Sequence, residues 1–246
     1  MEKTRVAFFD FASCEGCQLQ VINLEEDLLQ ILGPIDVVSF REATKDHSDD
    51  YLLAFVEGSI TRRSDEDRLK KIRSNAKILV ALGSCAVLGG INCIKNFQPE
   101  EYVRKFVYGD KASQYETYPA RPLKAVVPVD FEIPGCPINR KEYTAVVKAL
   151  LLGSRPQLPN FPVCVECKMA ENECVFEKGM TCMGPVTRAG CGACCVSEGS
   201  LCWGCRGLVD DPNVDSQREI LARHGLGVRD ILGNFRLYSG FSEVAK

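Results

Sequence analysis

The chain has 246 residues, 46% of them hydrophobic and 26% charged, with a formal net charge of −3. That is enough apolar material for one large domain or a domain plus a smaller module, and the interleaved charges leave no basic stripe for nucleic acid and no polybasic membrane patch. No apolar run approaches the roughly 20 residues of a membrane span, and the opening MEKTRVAFFDF carries no leader or cleavage site, so a cytoplasmic location is expected.

Arg5 to Phe11 reads as a buried strand, followed by Cys14-Glu15-Gly16-Cys17. A helix is expected over Gln18 to Leu32, with Val21, Leu24, Leu28 and Leu32 on one face and Gly33-Pro34 as its stop. Ile35 to Phe40 forms a second strand, and the polar stretch Arg41 to Asp50 a loop. Tyr51 to Val56 forms a third strand that runs into Glu57-Gly58-Ser59-Ile60. Ser64, with Asp67 three residues on, caps a charged helix reaching Asn75, anchored by Leu69 and Ile72. Lys77 to Leu82 is a fourth strand ending in Gly83-Ser84-Cys85, where a helix or turn begins. Pro99 to Val107 fits a helix. Leu123 to Val129 reads as a fifth strand, followed by Ile133-Pro134-Gly135-Cys136-Pro137 and a helix over Asn139 to Leu152.

Strands alternating with helices imply an α/β fold, a doubly wound parallel sheet of flavodoxin type with both faces covered. Such sheets bind ligands beyond the carboxyl ends of their strands. Cys14, Cys17, Glu57, Cys85 and Cys136 all fall there, and glycines at 16, 83 and 135 let the backbone approach a bulky group. Four thiolates meeting at one sheet end suit one 4Fe–4S cluster. The alternatives are that Cys85 and Cys136 are buried apolar cysteines and that Cys14 and Cys17 are a thioredoxin-like redox pair.

The remaining cysteines crowd together. Of fourteen in the chain, Cys164, Cys167, Cys174, Cys182, Cys191, Cys194, Cys195, Cys202 and Cys205 lie in one 42-residue segment with too little apolar sequence for a core of its own. Disulfides, zinc and iron–sulfur clusters are the three possible staples. A reducing compartment disfavours disulfides, whereas the two-residue gaps Cys164 to Cys167 and Cys202 to Cys205 suit zinc and clusters alike. The division expected is residues 1–155 for the sheet domain and 156–246 for a small irregular cysteine-rich domain. Ser216 to Leu232 reads as a helix and the chain after Gly240 as a tail. His47 and His224, the only histidines, read as solvated, and Trp203 as packing beside a cluster.

Taken as an ordered set, Cys14-x-Gly16-Cys17, Glu57-Gly58-Ser59-Ile60, Gly83-Ser84-Cys85-Ala86, Pro134-Gly135-Cys136-Pro137, the PVCVEC run, GPVTRAGC and the CWGC of Cys202 to Cys205 resemble the small subunit of soluble, cytoplasmic nickel–iron hydrogenases. The resemblance spans nearly the whole chain. It implies a flavodoxin-like domain with a proximal cluster on Cys14, Cys17, Cys85 and Cys136, and a smaller domain with two more. Cys164, Cys167, Cys174 and Cys182 would hold the distal cluster. Cys191, Cys195, Cys202 and Cys205 would hold the medial one. The three 4Fe–4S clusters would relay electrons from H2 oxidation, or toward proton reduction. The nickel–iron centre would sit on a large partner subunit, and further flavin or iron–sulfur subunits would accept the electrons. No residue of this chain is expected to be catalytic in the acid–base sense.

The local spacing of Cys191 and Cys194 competes with Cys195 for the fourth medial position. Side chains of adjacent residues in an extended segment point to opposite sides, so one of the two is expected to face the cluster. Cys93 and Cys194 are left over. Glu57 reads equally as a carboxylate near the large-subunit interface or as a capping group. Two other functions compete: the cluster-bearing subunit of a complex-I-like respiratory oxidoreductase, which usually has adjacent cysteines in its first motif and lacks the cysteine-rich module, and a zinc-stabilised binding protein.

Overall fold

A computed structural model describes residues 3–25 and 33–242. Its centre is a five-stranded parallel sheet in the order β2-β1-β3-β4-β5, the flavodoxin arrangement expected. The strands are β1 Thr4–Asp10, β2 Ile35–Phe40, β3 Leu53–Glu57, β4 Ile78–Leu82 and β5 Phe131–Ile133. Alternation along them splits the apolar residues between two faces, as the two-residue period of a strand requires. Val6, Phe8, Leu53, Phe55, Val80, Leu82 and Ile133 build one core, and Ala7, Phe9, Ala54, Val56, Leu79 and Ala81 the other.

Helix α1 (Gly16–Ile22) and α5 (Arg140–Leu151) cover the first face, with Cys17, Val21, Tyr143, Val146 and Val147 packed into it. Helix α2 (Arg63–Asn75) covers the second through Leu69 and Ile72. The short α3 (Gly83–Leu88) leads from β4 into a 3-10 stretch, Gly90–Phe97, and α4 (Glu100–Tyr108) follows. After α5 come α6 (Val163–Met169), α7 (Cys194–Ser197), α8 (Val214–Arg223) and α9 (Val228–Ser239).

Several expectations need correction. α1 starts at Gly16, because Glu15 takes the left-handed conformation and turns the chain into the helix, and it ends at Ile22 with Asn23 as its C-cap. Leu24 is buried beyond its end, while Leu28 and Leu32 lie outside the described residues. Ser64 is not a cap but an exposed residue inside α2. Asp65 replaces it: this buried carboxylate accepts from the Thr61 amide at 3.3 Å and from the Arg62 guanidinium at 3.0 Å. The fifth strand is Phe131–Ile133 and not 123–129, where Leu123–Ala125 form a 3-10 turn. Pro128 has no amide to give a ladder, and pairing resumes beyond it. The single helix expected over 216–232 is two, broken at Gly225, whose φ is +86°.

The cysteine-rich segment does hold small apolar clusters. Val163, Val175, Cys182, Ala193, Val196 and Cys202 form one, and Met183, Val186, Leu221, Ile231 and Phe235 form another. α9 also packs back on the 3-10 stretch: Arg236 lies over the Phe97 ring, 4.1 Å from its centroid, and a Cβ at Gly240 would stand 3.1 Å from that of Cys93.

Candidate functional site

Register aligns the ends of four strands. Asp10 pairs with Glu57, Glu57 with Leu82, and Leu82 with Ile133, so one row crosses the sheet at its carboxyl edge. The loops that leave this row carry Cys14 and Cys17, Gly83 to Cys85, and Gly135-Cys136. Parallel strands that end in register deliver their following residues to one place, and the predicted proximal set is brought together there. Burial pushes the Cys85 thiol up to about 12, and the charges of Cys136, Glu57 and Cys14 add to the effect. Cys17 is likewise raised, by burial and then by Glu57.

Glu57 is a buried capping carboxylate. Its Oε2 accepts from the Gln18 amide at 3.0 Å and its Oε1 from the Cys17 amide at 3.3 Å. Burial raises its pKa and those two amides oppose the rise. At Gly83, where φ is +82°, a Cβ would lie 2.3 Å from the Cys17 sulfur. The Ser84 amide donates to Gly135 O at 2.8 Å, joining the β4 and β5 loops, and the Ser84 hydroxyl donates to Cys205 O. The Tyr238 hydroxyl of α9 stands beside the Cys136 thiol and opposes the rise that burial gives it.

In the cysteine-rich segment, Cys164 is surrounded by Cys182, Cys167 and Cys174, and burial first, then these neighbours, push its thiol up to about 11. A Cβ at Gly184 would stand 3.3 Å from the Cys182 sulfur and 3.5 Å from that of Cys164. The medial candidates line a cavity of about 250 Å³: Cys191, Cys194, Cys195, Cys202 and Cys205, with Trp203 and Cys136 beside them. Burial raises Cys205 to about 12, with the nearby Cys136 amide opposing the rise. The proximal and medial sets are thus in contact.

Cys202 lines this cavity but hydrogen-bonds Cys182 of the distal set. Cys202 donates to the Cys182 sulfur through its amide at 3.4 Å and through its thiol, which pulls Cys182 down to about 6. The expectation that Cys194 and Cys195 point apart in an extended segment is corrected. Both lie in the single turn α7, entered through Ala193 in the left-handed conformation, and both reach the cavity. Cys194 contacts Cys191, and Cys195 adds to the charge felt by Cys205.

The remaining sequence candidates stay outside these sets. Cys93 is buried, with its thiol donating to Ala120 O at 3.3 Å. His47 meets Ser39 at 3.1 Å, His224 ends α8 against Phe176, and Trp203 is partly exposed. Sequence reasoning missed Arg206, Glu142, Glu166 and Tyr238. Two of them are adjacent to recognised motifs: Glu166 sits inside Cys164-x-x-Cys167 and Arg206 directly after Cys205.

The donor set fits iron–sulfur clusters on its own chemistry. The three candidate sets are all thiol, and backbone amides aim at their sulfurs: Ile138 at Cys17, Gly184 and Cys202 at Cys182, Ala193 at Cys191, Gly204 at Cys202 and Cys136 at Cys205. Amides donating to sulfur stabilise the thiolate form that ligates iron and tune the potential of a cluster.

The family model of the NADH ubiquinone oxidoreductase 20 Kd subunit matches residues 14–150. Sulfhydrogenase 2 subunit delta of Pyrococcus furiosus is 36% identical over 219 residues, 88% of this chain and 92% of the relative. The chain belongs to this family, as a hydrogenase small subunit. A subunit of the F420-non-reducing hydrogenase vhu of Methanocaldococcus jannaschii is 33% identical over 84% of this chain and 82% of its own length. Both alignments run well past residue 150, where the 20 Kd match ends, and so favour the hydrogenase reading over the respiratory one.

Solved structures show the same fold. A chain of an NAD+-reducing nickel–iron hydrogenase superposes with a TM-score of 0.59 at 24% identity, covering 64% of this small subunit and 96% of that chain. A chain of the Desulfomicrobium baculatum Ni-Fe-Se hydrogenase superposes with a TM-score of 0.56 at 16% identity, covering 88% and 98%. Like its hydrogenase relatives, the small subunit is an iron–sulfur component of an oxidoreductase complex whose active site lies on a partner chain. Among the described residues no helix is long and apolar enough to cross a membrane.

Proposed function

We propose that this small subunit relays electrons between the nickel–iron site of a large subunit and an acceptor subunit through three 4Fe–4S clusters. When bound, the clusters take up and pass on single electrons. Cys14, Cys17, Cys85 and Cys136 hold the proximal one; Cys191, Cys195, Cys202 and Cys205 the medial one; Cys164, Cys167, Cys174 and Cys182 the distal one. The observation that carries this reading is contiguity. Cys136 and Cys205 line one cavity and so join the first two sets, and the Cys202 amide bonded to the Cys182 sulfur joins the last two. A wire needs neighbouring stations, and zinc staples would not. Residues 1–155 serve as the cluster-bearing sheet domain that faces the large subunit, and 156–246 as the exit module. Dense unpaired thiols suit a reducing cytoplasm, where they stay free to bind iron.

The relatives' names point to no single acceptor. One is a sulfhydrogenase subunit, others are F420-non-reducing, and one, from Cupriavidus necator, is NAD-reducing. The acceptor of this small subunit is another chain of the complex carrying flavin or iron–sulfur groups. Anaerobic purification through a tag on the small subunit tests the reading. A nickel-containing large subunit is expected to co-purify, with three clusters' iron and sulfide per small subunit. Zinc in place of iron, or a small subunit that purifies alone with its clusters intact, would overturn it.

A further inference from the structure

Arg206 is a charge buried where the sheet meets the cysteine-rich segment, with its side chain 1% exposed. Nε donates to Ala189 O at 2.7 Å, Nη1 to Pro134 O at 2.8 Å, and Nη2 to Glu142 Oε1 at 2.7 Å. These acceptors belong to different stretches. Pro134 stands two residues before Cys136, Ala189 two before Cys191, and Glu142 on α5, while Arg206 itself follows Cys205. The space is closed around the guanidinium, since a Cβ at Gly190 would sit 2.2 Å from Nη2.

A second carboxylate also borders Cys191. Glu166, between the distal ligands Cys164 and Cys167, accepts from the Gly190 amide at 2.9 Å and the Gly192 amide at 3.0 Å, and its Oε2 lies 4.0 Å from the Cys191 sulfur. Arg206 binds the carbonyl two residues before Cys191 and Glu166 binds the amides on either side of it, so both charges border that sulfur. The medial candidates are therefore bordered by a cation bonded to the Cys136 loop and by an anion held between Cys164 and Cys167.

We propose that Arg206 is a positioning residue for electron transfer: it fixes the spacing of the proximal and medial sites, and its buried charge favours the electron on the medial one. The proposal rests on the relay reading. A planar guanidinium holds its donors on three separate nitrogens in a fixed fork and so reaches acceptors on three different stretches, whereas an ammonium's donors radiate from one atom. A reduced cluster carries one more negative charge than an oxidised one, so a nearby cation stabilises it in a medium that screens poorly. Glu142 offsets part of that charge, and its Oε2 has no hydrogen-bond partner. A buried ion pair of this kind is often no more stabilising than apolar packing, which leaves electrostatic and geometric placement as its use.

The test uses the whole complex with Arg206→Gln, Arg206→Lys and Glu142→Gln. Iron and sulfide are counted first, and the potential of each cluster is then read by titration followed with electron paramagnetic resonance. Arg206→Gln is expected to move the electron-sharing equilibrium about tenfold away from the medial cluster. Arg206→Lys is expected to recover most of that shift, and Glu142→Gln to move it the other way. Loosened packing alone would not give opposite signs. Equal or same-direction shifts for Arg206→Gln and Glu142→Gln, or none in fully loaded complexes, would overturn the proposal. If Arg206→Gln loses iron, the sign of the Glu142→Gln shift decides. Failure of the relay reading shows itself separately, as a native complex without three cluster signals.

Discussion

At Gly83 there is no room for a methyl group. The backbone is left-handed there, and the absent Cβ would overlap the Cys17 sulfur. Gly83→Ala is expected to displace Cys17 and cost the subunit its proximal cluster. Iron should fall by one cluster's content and one resonance signal should vanish while two persist; full iron with three signals would show that the loop can yield. Cys194 and Cys195 pose the other choice at this scale. Cys195→Ser is expected to perturb the medial signal, for instance toward a three-iron form, and Cys194→Ser to leave signal and iron unchanged, with the reverse pattern transferring the ligand role to Cys194. The cysteines could be singled out in the sequence because thiols at short spacing have few other uses. Arg206, Glu166 and Tyr238 were not, because arginine, glutamate and tyrosine occur everywhere and only the packed structure shows what they touch.

Among the elements, legibility followed the strength of the local pattern. β2 was read to the residue, since VVSF between Gly33-Pro34 and a polar loop leaves no alternative. β5 was misplaced, because the longer apolar run before Pro128 outweighed the three residues that pair. α2 was found, but its cap was assigned to Ser64 when the buried Asp65 holds the entry turn. Leu69, fully buried on α2, anchors that helix to the sheet. Leu69→Ala is expected to destabilise the sheet domain by about 2–5 kcal/mol, seen as a lower urea midpoint with an unchanged slope. Asn139 caps α5, its side chain accepting from the Glu142 amide at 3.1 Å. Asn139→Ala is expected to cost about 1 kcal/mol by the same measurement. A loss well above that would mean that the cap also holds the Cys136 loop.

At the scale of the whole molecule, the cysteine-rich part divides by what holds it. One of its apolar clusters includes Cys182 and Cys202 themselves, whereas the other, around Met183, Leu221 and Phe235, contains no cysteine. Removing iron is therefore expected to expose 164–205 to protease first and to spare α8, α9 and the sheet. Early cleavage within 214–239 would show that the last two helices also depend on iron.

The return of α9 to the sheet domain has a consequence in time. A growing chain folds its early residues first, yet Cys93 and Phe97 are covered by residues made after every cysteine of the three sets. Until Val228–Ser239 has been made, the rim beside Cys85 lacks this cover. The last helix is in this sense a clasp, fastened only after all the thiols have been delivered.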